Sequence, residues 1–198
     1  MMTIEAKWVE RPPKVIAFVC GLIAIILLII AIAANSWIEA QDYRQGLWKI
    51  CTYDNLGDIE TCLNPEASSR AWLLACAILS IVSLLVCVIV VIVTGIGLKT
   101  KDHTQKYKLY RVATFLMFGA FVLELIALIV FPVMFIKDLD QKSAKMQISE
   151  WYFAWSYGIA WGAAIFEIGC AILLLIDKDN EEIYYKEKTT YREPEYGH

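Results

Sequence analysis

The six cysteines of this 198-residue chain fall into two groups that should have different chemistry. Cys51 and Cys62 lie in a polar stretch between two apolar runs. If that stretch faces an oxidising compartment, a disulfide between them can form, and two unpaired thiols are the alternative. A metal site is disfavoured because the only two histidines, His103 and His198, belong to other segments. The other cysteines lie within apolar stretches, where a free cysteine behaves as a small hydrophobic residue; they are Cys20, Cys76, Cys87 and Cys170.

Two acidic residues, Glu124 and Glu167, stand inside apolar runs that contain no Lys, Arg or His. In the helices predicted below, their depths in the membrane differ by only roughly 5 Å. An ionisable residue in such a place indicates a functional site by default, here a proton- or cation-sensing pair. The structural alternative is a pair of protonated carboxyls, because a low dielectric disfavours the charged form. Such carboxyls would form hydrogen bonds with the backbone or with the hydroxyls of Ser80, Ser83 and Thr94.

Four long apolar stretches dominate the chain, in which 59% of the residues are hydrophobic and only 20% are charged. A hydrocarbon core of about 30 Å is crossed by roughly 20 apolar residues in a helix. The stretches that meet this requirement are residues 15–34, 71–98, 112–136 and 151–176. The first is longer than the apolar region of a signal peptide, which has about 7–15 residues, and is therefore interpreted as an anchor. The sequence thus predicts an all-α membrane protein with four transmembrane helices.

Lys and Arg are unevenly distributed among the segments outside these spans. Twelve lie in residues 1–14, 99–111 and 177–198, whereas six lie in residues 35–70 and 137–150. Because the side richer in Lys and Arg stays in the cytosol, we expect both termini and the middle loop to be cytosolic. The other two segments are then extracellular loops of a multi-pass protein of the plasma membrane.

The first extracellular loop carries a short motif around its cysteines. Trp37 precedes Gly46-Leu47-Trp48, Cys51 follows after two residues, Cys62 follows after ten more, and Arg70 stands at the mouth of the second span. The oxidising compartment favours the disulfide, which would contribute about 3 kcal/mol of stability. Together with four spans in this topology, the motif resembles the W…GLWxxC…C pattern of the claudin and peripheral myelin protein tetraspan superfamily.

The resemblance implies a left-handed four-helix bundle that carries a small extracellular β-sheet, stapled by a Cys51–Cys62 disulfide. Because a short sheet is not stable alone, large side chains that rest on the bundle should support it. The resemblance gives this role to Trp37, Leu47 and Trp48, and anchoring at the membrane interface is the alternative. Only ten residues separate the two tryptophans, fewer than in typical claudins, in which the additional length belongs to strands that line paracellular pores.

The fourth span contains a second informative block. Residues 155–165 are WSYGIAWGAAI, which resembles the WxYGxxWGAxI pattern of a branch that comprises the Perp-like proteins and brain cell membrane protein 1. That branch is associated with adherens junctions and desmosomes rather than with ion-selective pores. Within the block, Gly158 and Gly162 form a GxxxG pair, which lets two helix backbones approach closely. The pair serves either as an oligomerisation face or in packing within the bundle.

These observations favour a structural and interaction protein of cell–cell junctions, which organises adhesion complexes through lateral or trans contacts. The expected partners are further copies of the chain, junctional adhesion proteins, cytosolic adaptors and membrane lipid. A claudin-like paracellular barrier or ion conduit is one alternative, and an accessory subunit of a channel is another. No nucleophile, base and orienting group stand together, so neither an enzyme nor a cofactor is predicted. No basic stripe indicates nucleic-acid binding.

Overall fold

The computed structural model describes residues 12–40, 43–53, 60–63, 71–100, 102–142 and 150–190. Within these ranges the chain forms four helices and five short strands. The helices are α1 (Pro12–Ala33), α2 (Ala71–Lys99), α3 (His103–Lys142) and α4 (Trp155–Thr190). The strands are β1 (Ile38–Ala40), β2 (Tyr43–Gln45), β3 (Ile50–Tyr53), β4 (Glu60–Leu63) and β5 (Trp151–Phe153).

Each of the four helices contains a segment that is long and apolar enough to cross a membrane. The predicted four-span membrane protein is therefore confirmed. α3 and α4 continue past the predicted ends of their spans, to Lys142 and Thr190. A helix can do so because its backbone hydrogen bonds are made within the helix on either side of the membrane boundary. The apolar segments are Pro13–Ala33, Ala71–Lys99, Thr104–Leu139 and Trp155–Ile176.

The helices pack as a bundle in which each helix has two main neighbours. α1 contacts α2 and α4, and α3 contacts the same two helices. Small side chains occupy many buried positions, among them Ala24, Ala120 and Ala163, whereas large ones such as Phe115 and Ile165 face outward. This distribution is expected in a membrane. Lipid does not drive large apolar side chains inward, so helices associate through close packing of small residues.

The five strands form one antiparallel sheet in the order β4-β3-β2-β1-β5. β1 to β4 come from the first loop, where the small sheet was expected. β5 comes from the segment before α4 and pairs with β1, so that Ile38 lies opposite Phe153. The sequence predicts a fourth span from residue 151, but the helix begins at Trp155. The difference arises because the backbone of Trp151–Phe153 pairs with the edge of β1.

Two buried clusters fill the bundle. One lies beneath the sheet and includes Trp37, Phe131 and Tyr157; we call this part the sheet end. The other includes Ala17 and Tyr110, which lie near the starts of α1 and α3; we call this part the opposite end. The loop motif therefore belongs to the sheet end.

Candidate functional site

Trp37 is fully buried between the sheet and the bundle. Its backbone N–H donates a hydrogen bond to the carbonyl of Gln45 in β2 (2.9 Å). Its indole ring packs against Phe131 and Tyr157, with ring centroids 4.8 and 5.7 Å away. Aromatic pairs at such separations add to the free energy gained from burial. Trp37 therefore supports the sheet from inside the protein, and anchoring at the membrane interface does not describe its position.

The two tryptophans of the motif also complete the C-terminal end of α1. A helix leaves its last four carbonyls without partners inside the helix. The indole Nε1 of Trp37 donates a hydrogen bond to the carbonyl of Ala31 (2.9 Å), and that of Trp48 donates one to the carbonyl of Ile32 (2.8 Å). The first loop is thus tied to α1 by polar atoms as well as by apolar contact. Trp48 differs from Trp37 in that 38% of its surface stays exposed.

Gly46 and Leu47 form the turn that brings the chain back to the end of α1. A β-carbon on Gly46 would lie 2.5 Å from the α-carbon of Asn35, a separation that real atoms do not adopt. The backbone N–H of Gly46 donates a hydrogen bond to the carbonyl of Lys49 (3.0 Å). Leu47 is buried in the cluster beneath the sheet. The close approach of two backbones therefore requires glycine at this place in the motif.

A disulfide joins Cys51 to Cys62, as expected from the loop motif. The two residues lie directly opposite each other on β3 and β4, with their α-carbons 4.1 Å apart. β4 is the outermost strand at that edge of the sheet. The bond therefore fastens a strand that, among the described strands, is hydrogen-bonded to β3 alone. Arg70, the last residue of the predicted motif, lies outside the described residues.

The start of α4 provides a second attachment between the loops and the bundle, one that the loop motif does not reveal. The Ser156 hydroxyl donates a hydrogen bond to the carbonyl of Ser36. The Tyr157 hydroxyl donates one to the carbonyl of Leu128 in α3 (2.9 Å). The sequence signal for the adjoining strand β5 is the run Trp151–Phe153, since aromatic residues favour strands. The same run also fits an aromatic belt at the membrane interface, which is why sequence reasoning missed the strand.

The sheet end presents large aromatic side chains to its surroundings. We call these the aromatic rim; they are Trp48, Tyr152, Phe153 and Trp155, all exposed. Next to them on the sheet, Arg44 Nε forms an ion pair with Glu39 Oε1 (2.6 Å) across β1 and β2. The Tyr152 hydroxyl lies 3.4 Å from the second oxygen of Glu39. Aromatic side chains beside a few polar groups are typical of surfaces that bind other proteins.

Among the described residues, nothing packs so closely on Gly158 or Gly162 that glycine is required. A β-carbon on Gly158 would meet no atom within 4 Å. A β-carbon on Gly162 would make only an ordinary contact, 3.8 Å from Leu27 Cδ1. Of the two interpretations of this pair, packing inside the bundle is thus not supported by the geometry. The oligomerisation face stays a prediction.

Glu167 is fully buried in the bundle and has two partners on α2. Its Oε1 lies 2.9 Å from the Ser83 hydroxyl and 3.1 Å from the Cys87 thiol. Ser83 also lies 3.0 Å from the carbonyl of Ala120 on α3. A hydroxyl has one hydrogen to donate. The donors and acceptors therefore match if Glu167 is protonated and donates to Ser83, which then donates to Ala120. Through Ser83, these contacts link α2, α3 and α4.

Glu124 is equally buried, but neither of its carboxyl oxygens has a hydrogen-bond partner within the described part of the chain. The Ser80 hydroxyl interacts with the Glu124 carboxyl as a hydrogen-bonding group, although not at normal hydrogen-bond geometry, and Glu167 is close enough to interact with it electrostatically. The Ser80 hydroxyl likewise forms no hydrogen bond of normal geometry, and the same holds for Thr94. Of the three hydroxyls predicted as partners for the acids, Ser83 therefore bonds Glu167 and Ser80 interacts with Glu124, whereas Thr94 has no hydrogen-bond partner among the described residues. Among the described residues, no group of three His, Cys, Asp or Glu side chains could hold a metal ion.

A four-span bundle with a small disulfide-bonded sheet built from its two loops defines a recognisable class of membrane protein. The family model described as the PMP-22/EMP/MP20/Claudin family matches residues 15–174, and the chain belongs to this family. A protein from Danio rerio described as "p53 apoptosis effector related to PMP-22" is 36% identical over 177 residues, which cover 86% of this chain and 87% of that relative. The predicted membership of the superfamily and likeness to its Perp-like branch are confirmed.

Proposed function

We propose that this multi-pass membrane protein is a structural component of cell–cell junctions at the plasma membrane, where it organises adhesion complexes. The observation that carries this proposal is the aromatic rim on a firmly held sheet. The sheet is fixed by the Cys51–Cys62 bond and by two indole hydrogen bonds to α1. A surface that is rigid before binding loses little conformational entropy when a partner docks. Such a surface suits stable protein contacts.

The proposed orientation places the sheet outside the cell and both termini in the cytosol. Twelve of the 18 Lys and Arg residues lie on the side of the termini, as the positive-inside rule requires of a cytosolic side. The disulfide supports the same orientation, because such bonds persist in the oxidising space outside the cell. In this orientation the aromatic rim lies at the outer surface of the membrane, where it can meet partners in the same membrane or on an adjacent cell.

The adherens-junction or desmosome type is proposed from the block at residues 155–165, which resembles the Perp-like branch. The compact hairpin of β1 and β2 supports adhesion rather than a paracellular pore. These strands have three residues each and offer little length to line a channel between cells. The proposed partners are further copies of the chain, junctional adhesion proteins and cytosolic adaptors.

Imaging of the tagged full-length protein in a polarised epithelial layer tests the junctional role. We expect enrichment at lateral cell contacts. The double variant Tyr152→Ser/Phe153→Ser should reach the plasma membrane but lose that enrichment, because both side chains are exposed and belong to the rim. The matched control is Ile165→Ser, which alters an exposed side chain of α4 away from the rim. Uniform distribution of the unmodified protein over the free surface would disprove the proposal.

A paracellular barrier or ion conduit is the second candidate, and the buried acids Glu124 and Glu167 bear on it only for an ion path through the bundle itself. Transepithelial conductance, measured with and without the protein, separates it from the adhesion role. An adhesion protein should leave the ratio of Na⁺ to Cl⁻ permeability unchanged. A change in this ratio that disappears in Glu124→Gln would favour the conduit. Accessory action on another channel would appear instead as altered currents in single isolated cells.

A further inference from the structure

A cavity of about 540 Å³ lies at the opposite end of the bundle, between α3 and α4. Its volume falls within the range of small-molecule sites, about 300–1,000 Å³. Most of the lining is aromatic or aliphatic, and several lining side chains are also exposed on the outside of the bundle. The cavity therefore opens onto the surface that faces lipid hydrocarbon. The exposed lining residues include Phe115, Phe118, Ile172 and Leu175.

Positive charge is concentrated at one part of this cavity. Lys14 of α1 and Arg111 of α3 both line it. The Lys14 ammonium lies 4.0 Å from the centroid of the Tyr110 ring, and the Lys106 ammonium lies 6.0 Å from the same centroid. Two ammonium groups thus lie at one aromatic ring, and the Arg111 guanidinium belongs to the same cavity lining. An apolar cavity with such a cluster is complementary to a molecule that has an anionic head and a hydrocarbon tail.

The cationic part of the cavity is held in place before any ligand binds. The Tyr110 ring is wedged against α2, since a β-carbon on Gly97 would lie 2.9 Å from it. The Thr114 hydroxyl, also at the cavity, donates a hydrogen bond to the Tyr110 carbonyl (2.9 Å). Lys14 is nearly fully buried on this ring. A preorganised charge binds a ligand with less loss of conformational entropy than a flexible surface lysine does.

The cavity lining also extends along the helix axes, from the charged residues toward the middle of the membrane, as a bound lipid would. Arg111 and Phe118 are seven residues apart on α3, which corresponds to about 10 Å along the helix axis. Phe115 lies between them, and Ile168 and Leu175 line the cavity from α4. A phospholipid whose phosphate lies beside Arg111 would therefore place an acyl chain in the apolar groove, directed toward the middle of the membrane.

We propose that this cavity binds one anionic phospholipid from the leaflet at the opposite end of the bundle. The phosphate and the anionic headgroup contact Lys14 and Arg111, and an acyl chain occupies the groove between α3 and α4. In the proposed orientation this is the cytosolic leaflet, in which anionic phospholipids are concentrated. The site does not depend on the junctional role, because it is formed entirely by the opposite end of the bundle.

Native mass spectrometry of the full-length protein, released from detergent micelles, tests the site. The probes are dioleoyl phosphatidylserine, dioleoyl phosphatidylcholine and cholesterol, each added at equal concentration. We expect retention of one phosphatidylserine and at least fivefold weaker retention of phosphatidylcholine. Arg111→Gln should weaken phosphatidylserine binding about fivefold, as expected for one basic residue near a lipid headgroup.

Two matched controls separate a built site from general attraction. Lys108→Gln removes an equal charge from an exposed position of α3 that is not among the residues lining the cavity, and should change binding less than twofold. Ile172→Trp narrows the groove and should reduce phosphatidylserine retention, whereas Ile165→Trp alters an exposed residue of α4 outside the groove and should not. Circular dichroism should show that all four variants keep their helices, since each altered side chain is exposed.

Three outcomes would overturn the proposal. Equal retention of phosphatidylserine and phosphatidylcholine would show that the negative charge of the headgroup does not determine binding. Equal effects of Arg111→Gln and Lys108→Gln would show that only the overall surface charge matters. Retention of cholesterol that competes with phosphatidylserine and is insensitive to Arg111→Gln would assign the groove to a sterol.

Discussion

The indole N–H of Trp37 donates a hydrogen bond of 2.9 Å to the carbonyl of Ala31, so the first residue of the loop motif completes the helix that precedes it. Trp48 does the same for the next carbonyl, that of Ile32. One pair of side chains thereby serves both secondary structure and tertiary structure. The motif tryptophans are needed at these places because they combine a large apolar surface with a single directed donor.

Replacement of Trp37 by Phe should destabilise the protein by about 1–3 kcal/mol, because it leaves the buried carbonyl of Ala31 without a donor. Trp48→Phe is the matched control and should cost less, since a carbonyl beside a side chain that is 38% exposed can bind water instead. Thermal unfolding of the purified variants in the same detergent measures the difference. Equal losses in the two variants would contradict the assigned difference in burial.

Gly46→Ala should prevent the loop from reaching its native position. The added β-carbon would lie 2.5 Å from the Asn35 backbone, which cannot move aside as a flexible side chain could. We expect most of the variant to be retained inside the cell, as judged by surface biotinylation. Gly158→Ala should be delivered normally, because no atom lies within 4 Å of the new β-carbon. Normal delivery of Gly46→Ala would show that this turn tolerates a different path.

The double variant Cys51→Ala/Cys62→Ala should lose about 3 kcal/mol of stability, because the unfolded loop is no longer constrained. The single variant Cys51→Ala should expose a reactive thiol at Cys62, which lies on the accessible side of β4. Labelling of intact cells with a membrane-impermeant maleimide tests the pairing and the orientation together. Strong labelling of the unmodified protein at these positions would contradict the disulfide.

Ser80 and Ser83 should respond differently to replacement by Ala, although both are fully buried on α2. Ser83→Ala removes the contacts to Glu167 and Ala120 and should cost about 0.5–2 kcal/mol, the range of hydrogen bonds between membrane helices. Ser80→Ala removes a hydroxyl whose interaction with Glu124 is not of normal hydrogen-bond geometry, so it should cost less than Ser83→Ala. Thermal unfolding in one detergent compares the two variants. A larger loss in Ser80→Ala would reverse the assignment.

Glu124→Gln should leave folding and surface delivery nearly intact, because an amide has almost the shape of a protonated carboxyl and no charge. Glu124→Lys should be poorly delivered, since it places a charge in the low-dielectric interior. Surface biotinylation of cells that express each variant provides the measurement. Loss of surface protein in Glu124→Gln would instead indicate that the ionised carboxylate is required.

Sequence alone determined the number of spans, the loop motif and the cysteine pairing. Long apolar runs without charge have few alternatives to membrane helices, and Cys51 and Cys62 are the only cysteines in a polar segment. The roles of Trp37 and Leu47 beneath the sheet were what the family resemblance of the motif implied. The spans and the cysteine pair are predictable because each depends on composition or spacing within a short segment.

Only the tertiary structure decided which groups meet across segments. Trp151–Phe153 pairs with β1 although 110 or more residues separate them in the sequence, so a local aromatic pattern could not distinguish this strand from a membrane belt. The partner of Glu167 was likewise one of several hydroxyls at similar depth, and the rotation of α2 selected Ser83. The requirement for Gly46 follows from the nearby backbone of Asn35. Sequence spacing determines how deep a side chain lies in the membrane and which face of its helix it occupies. Contacts between segments depend in addition on the rotation of each helix about its axis and on the path of the loops over the bundle.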